Sequence, residues 1–138
     1  MLDQLFKFSN HIPMGVVNIT PNSFSDGGQI ENSVDLFNKI DSLDSNLIDI
    51  GAQSTAPFNK GIGSNEEWRR LKTLFEMDHL LLNGKIVSID TYRPQTMQMV
   101  QDKLKVPLIF NDVSGCLDNE LKQYLKRNPH TPYVFSHN

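Results

Sequence analysis

Five short apolar runs punctuate the chain: MGVVNI at 14–19, NLIDIG at 46–51, KIVSID at 85–90, PLIFND at 107–112 and PYVFSH at 132–137. They are rich in Val and Ile and mostly continuous rather than alternating. Strands covered on both faces look like this, as in parallel sheets. Helical spacing fills the intervals. In ENSVDLFNKIDSL, 31–43, Val34, Phe37 and Ile40 recur on one face and Leu43 extends it. SNEEWRRLKTLFEMDHLLL, 64–82, opens on Ser64 with Glu67 three residues on, a capping box. Trp68, Leu71, Leu74 and Phe75 then mark its apolar face. PQTMQMVQDKL, 94–104, starts on Pro94, the residue favoured in a first turn. DNELKQYLK, 118–126, starts on Asp118, a cap that can bind free backbone N–H groups. The order β-α-β-α-β-α-β-α-β predicts parallel strands joined by helices, an α/β domain.

Polar residues gather where these strands end: Asn18, then Asp49 and Gln53, then Asp90, then Asn111 and Asp112, then His137. Asn and Asp often serve only to cap turns after strands. Five strand ends in succession favour a shared site, because α/β folds build sites beyond the carboxyl ends of their strands. The chain has no G-x-G-x-x-G or P-loop to mark a doubly wound nucleotide fold. Its first two βα loops are long and rich in Gly, Ser, Thr and Pro, as in (β/α) barrels. Such a barrel needs eight units and about 250 residues. Residues 1–138 supply roughly four βα units and a fifth strand.

Composition narrows the partners. A net charge of -3 without a basic cluster argues against a nucleic-acid surface. The densest basic run, RRLK at 69–72, sits beside Glu66 and Glu67 and reads as a solvated helix face. Cys116 is the only cysteine, so no internal disulfide and no oxidising compartment are implied. No His or Asn pattern of a cysteine enzyme surrounds it. The first residues lack a signal-peptide pattern, and no apolar run approaches a membrane span. A cytoplasmic protein is the expectation.

One stretch stands out. NITPNSFSDGG, 18–28, follows an apolar strand with small polar residues, one Phe, one Asp and two glycines. It resembles the first signature of the dihydropteroate synthases. IDIGAQSTAP, 48–57, is similar to the family's second signature, usually I-D-I-G-G-E-S-T-R-P. SIDTYRPQ at 88–95 and IFNDVSG at 109–115 are similar to its third and fourth strand ends. PYVFSHN, 132–138, resembles the strand that usually carries Met-His-Met. The resemblance implies a (β/α)8 TIM barrel of which this chain is the N-terminal half, with the C-terminal half absent.

It also implies a reaction. The family condenses p-aminobenzoate with 6-hydroxymethyl-7,8-dihydropterin pyrophosphate in folate biosynthesis, releases pyrophosphate, and is the sulfonamide target. Asp90 and Asn111 match the family's pterin-binding Asp and Asn. A carboxylate accepts two N–H bonds from a pterin edge, and an amide both donates and accepts. Asn18 matches the residue near Mg²⁺ and pyrophosphate, for which an amide oxygen is a suitable hard ligand. Phe24 and Pro57 would wall the p-aminobenzoate site. Asp26 and Thr55 would sit by the reacting centre on loops that close over the substrates, and Gly27 and Gly28 suit that change of shape. His137 has two readings of equal weight, the leaving-group side or a satisfied core histidine. No covalent nucleophile is needed; positioning and charge stabilisation carry the rate.

The chain departs from the family pattern at functional positions of its first two loops, with Asn22 for an Asp, Gln53 for a Glu and Ala56 for an Arg, and Ser136 and Asn138 flank His137 where Met is common. The family's second half would bring a further pterin Asp, a Lys and the late Arg and His that grip the anion. The chain alone is therefore expected to be inactive, and the full-length protein to be a homodimer. A pterin-dependent methyltransferase of the same barrel family, or a non-catalytic pterin-binding protein, is the alternative.

Overall fold

The computed structural model describes residues 11–19, 33–53, 61–76, 82 and 84–136. Five parallel strands lie side by side in sequence order: β1 (Met14–Asn18), β2 (Leu47–Gly51), β3 (Ile86–Asp90), β4 (Leu108–Asp112) and β5 (Tyr133–Phe135). Helices α1 (Ser33–Asp41), α2 (Ser64–Glu76), α3 (Pro94–Lys103) and α4 (Asn119–Arg127) alternate with them. In a doubly wound sheet the strand order reverses part-way. Here it never does, so the winding is that of part of a (β/α) barrel.

Register assigns each face its work, because successive side chains on a strand point to opposite sides. Val17, Ile50, Ile89 and Phe110 pair laterally in one row and are fully buried. With Ile48 and Val87 they pack against Leu36 and Ile40 of α1, Leu71 of α2, Met97 and Val100 of α3, and Leu121 and Tyr124 of α4. Each such aliphatic side chain contributes about 1.5–3 kcal/mol when fully buried. The opposite face carries two other rows. Asn18, Gly51, Asp90, Asn111 and Val134 form the upper one, and Val16, Asp49, Ser88 and Ile109 the lower. Valines at the two edges of this face, Val16 and Val134, are 51% and 47% exposed.

The helices differ from expectation in detail. α1 is shorter than 31–43, and its core line is Leu36–Ile40 with Leu43 beyond, while Phe37 is exposed. Leu36 lies four residues before Ile40, on the same stripe, and Phe37 starts the next one. Helix α2 is described over Ser64–Glu76, and residues 77–81, which the sequence pattern also assigns to it, lie outside the described residues. Its Glu67 does not fold back as a capping box; the side chain is buried and committed to α3. Trp68 is partly buried against the core, and the side chains of Val34, Leu74 and Phe75 lie outside the described residues. Pro94 opens α3, and Asp118 caps α4 by accepting from the Leu121 N–H at 2.8 Å. Arg69 and Arg70 both pair with Glu66 at 2.7 Å, and they hold its carboxyl at about 2. Among the described residues no helix is long and apolar enough to cross a membrane.

Candidate functional site

The upper polar row sits at the carboxyl end of the sheet. Asn18, Gly51, Asp90 and Asn111 are successive lateral neighbours on β1 to β4. Gly51 makes this row possible. A Cβ placed there would lie 3.2 Å from Asn18 Oδ1, 3.3 Å from Asp90 Oδ2 and 3.4 Å from Asp90 Cβ. The amide oxygen and the carboxylate therefore lean toward each other across a backbone that has no side chain to hold them apart.

Asp90 is half-buried, and its carboxylate makes no hydrogen bond among the described residues. Burial raises its pKa from 3.8 to about 6, and the nearby carboxylates of Asp49, Glu67 and Asp112 push the same way. A strand-end carboxylate in this state needs a donor or a cation beside it when ionised.

One row lower, Asp49 is 6% exposed. Its Oδ1 accepts from Ser88 Oγ at 2.5 Å and from Asn111 Nδ2 at 3.1 Å. Asn111 thus reaches down across β3 to β2 and is fixed at one end.

Beside the row stands a second polar cluster. Arg93 precedes α3. Its Nη1 donates to Glu67 Oε2 and to Gln53 Oε1, both at 3.1 Å. Its Nη2 donates to Tyr92 OH at 2.6 Å and to the Ile62 carbonyl, and the guanidinium stacks on the Tyr92 ring at 4.3 Å. Thr96 Oγ1 also donates to Glu67 Oε2, at 2.7 Å. Arg70 Nη1 donates to the Ala52 carbonyl at 2.9 Å. Both described ends of the second βα connection, Gln53 and Ile62, are therefore tied to one guanidinium.

Of the residues singled out from the sequence, Asn18, Asp90 and Asn111 come together and Asp49 joins them. Gln53 is held by Arg93. Asp112 does not belong to the mouth. It faces the helices, fully buried, where Oδ1 accepts from the Ser114 N–H at 2.8 Å and Oδ2 from Tyr133 OH at 2.7 Å. Asn111 and Asp112 are adjacent on one strand, so their side chains point to opposite faces. Phe24, Asp26, Thr55, Pro57 and His137 lie outside the described residues, as do Asn22, Gly27, Gly28 and Ala56. Ser88 was not singled out, although it stands two residues before Asp90 and so shares its face. Among the described residues no three His, Cys, Asp or Glu side chains are grouped to hold a metal ion. Cys116 is exposed.

The family described as pterin binding enzyme matches residues 14–138. This chain belongs to that family. Among its relatives is the dihydropteroate synthase of Bacillus subtilis, 32% identical over 130 residues, 91% of this chain and 44% of that protein. The dihydropteroate synthase of Anaplasma phagocytophilum with bound 6-hydroxymethylpterin-monophosphate matches its fold with a TM-score of 0.75 at 32% identity. That match covers 92% of this chain and 49% of the other. The Xanthomonas albilineans dihydropteroate synthase with 4-aminobenzoic acid gives 0.73 at 27% identity, over 91% of this chain and 46% of that one. The chain spans less than half the length of each of these relatives.

Proposed function

We propose that this chain carries the pterin-binding part of a dihydropteroate synthase, which joins p-aminobenzoate to 6-hydroxymethyl-7,8-dihydropterin pyrophosphate. The observation that supports it best is the pairing of Asp90 with Asn111 at the carboxyl end of adjacent strands, Asp90 without a hydrogen-bond partner among the described residues. A pterin edge presents N–H donors next to a ring acceptor, and a carboxylate beside an amide is the complement of that edge.

Asn18 would hold Mg²⁺. Its Oδ1 is a hard oxygen beside the Asp90 carboxylate, in the space left by Gly51. With no three-residue acidic cluster among the described residues, such an ion would keep waters and take substrate phosphate oxygens, as Mg²⁺ favours. Bound there, it would neutralise charge on the departing pyrophosphate. Asp90 and Asn111 would orient the pterin. Phe24 and Pro57 would wall the arylamine, and Asp26 and Thr55 would flank the reacting carbon. The neutral amine of p-aminobenzoate forms the new C–N bond as the C–O bond to pyrophosphate breaks, and the amine then loses its proton. The remaining anion-binding groups, and a homodimer contact, would come from barrel units outside these residues. The cytoplasm is the compartment we propose, because the single cysteine offers no internal disulfide and both substrates are small soluble molecules.

A chimera tests this reading. Residues 1–138 would replace the matching segment of the Bacillus subtilis dihydropteroate synthase. Pyrophosphate release should then depend on p-aminobenzoate and should disappear with Asp90→Ala. A folded, monodisperse chimera that releases none would overturn the reading.

A further inference from the structure

We infer that Asp49 and Ser88 are positioning residues that lock the Asn111 amide in one orientation, so that this site accepts only one order of hydrogen-bond donor and acceptor on its ligand. The inference rests on the pterin reading above for the identity of that ligand, but not for the locking itself.

Asp49 is buried, and one of its oxygens serves two donors from two different strands, the Ser88 hydroxyl at 2.5 Å and Asn111 Nδ2 at 3.1 Å. An ionised carboxylate can only accept, so it discriminates between the two ends of an amide. The NH₂ end of Asn111 must face Asp49, and the carbonyl end must face away. The Ser88 hydroxyl is also a donor, so nothing in this trio rewards a flipped amide. Asp49 lies one row below Asn111, so the anchored end points down the sheet. Asn111 Oδ1 has no partner among the described residues, and one N–H of Nδ2 is left over. The site therefore offers an acceptor beside a donor, in a fixed order. An unanchored asparagine would turn over to suit either pattern and would specify nothing.

The order chooses between ligand classes. A 2-amino pterin shows an amino donor next to the N1 acceptor. The 2-oxo relative, a lumazine, shows the inverse, an oxo acceptor next to an N1–H donor. A locked amide favours the first, and the mismatch leaves buried polar groups unpaired in the second.

The test compares 6-hydroxymethylpterin with 6-hydroxymethyllumazine on the whole chain and on Asp49→Ala and Ser88→Ala, each first checked for its fold by circular dichroism. The chain should prefer the pterin by at least about tenfold, the size expected for one mismatched buried pair. Asp49→Ala should narrow the preference by at least about threefold, leaving the part that the acceptor-only Asp90 carboxylate carries, and Ser88→Ala should narrow it less, since it removes one of two donors that hold the Asp49 carboxylate. General loosening of the sheet would weaken both ligands alike and leave their ratio unchanged, which would overturn the inference. A second readout needs no ligand. The Asn111 side-chain NH₂ signals in a ¹⁵N spectrum should be protected from exchange in the parent chain and should shift and lose protection in both variants. If the folded chain binds neither probe, the pterin reading fails and these signals alone decide: unchanged in both variants, they overturn the locking. If Asp49→Ala does not fold, Ser88→Ala supplies both readouts.

Discussion

Asp90 is the residue on which pH should act. Its folded pKa is about 6 against an ordinary 3.8, with burial the largest cause. Below about pH 4 the carboxyl is protonated folded or unfolded, and nothing is lost. As pH rises through 6, the folded chain must hold a charge that the unfolded chain carries at no cost. Stability contributed by the neutral form is therefore full in acid and gone by neutrality. Asp90→Asn should be more stable than the parent at pH 7.5, by about 1–2 kcal/mol after allowing for solvent screening of a half-exposed group. The two should converge near pH 4, as read by urea midpoints. A gap that persists at pH 4 would contradict this. Gly51 makes a second prediction. Gly51→Ala pushes a methyl group to 3.2 Å from Asn18 Oδ1 and 3.3 Å from Asp90 Oδ2. It should leave the fold intact and weaken 6-hydroxymethylpterin binding about tenfold, as expected for one displaced buried hydrogen bond; titration calorimetry measures it. At this scale Asn18, Asp90 and Asn111 were legible as polar ends of apolar strands. Asp112 misled, since adjacency in sequence hides that only one of two neighbours can face the mouth. Ser88 and Gly51 carry no polar strand-end signal; their roles emerge once side chains are assigned to faces and rows.

Among the elements, α2 and α3 are joined by charge. Glu67 is 1% exposed by its side chain and Arg93 15%, and they meet at 3.1 Å. Removing one partner of such a pair strands the other in low dielectric. Arg93→Ala should cost about 3–5 kcal/mol in urea unfolding. Arg93→Lys should recover only part of it, because an ammonium cannot serve Glu67, Gln53, Tyr92 and the Ile62 carbonyl from one rigid fork. Full recovery by lysine would show that the charge alone matters. Sequence patterning located all four described helices, and the Pro94 and Asp118 starts held because a cap is a local device. The capping box at Ser64 failed for the converse reason. A glutamate three residues into a helix suits a local cap, but a distant arginine and Thr96 offered a buried partner, and tertiary contact won.

For the whole molecule, strand order was legible, because short runs alternating with single helices leave parallel neighbours as the simplest winding. The row structure was not, since register depends on lateral pairing across the sheet. What the fold achieves is to bring groups from β1, β3 and β4 to one level, around a glycine of β2. If that level binds the pterin, binding must be local to it. The most direct measurement is a titration of ¹⁵N-labelled chain with 6-hydroxymethylpterin, repeated with Asp90→Ala and Asn111→Ala. The account predicts saturable shifts centred on Asn18, Gly51, Asp90 and Asn111, with affinity reduced at least about tenfold in each variant. Saturable shifts centred elsewhere, affinity untouched by both substitutions, or no binding by a folded chain would contradict it.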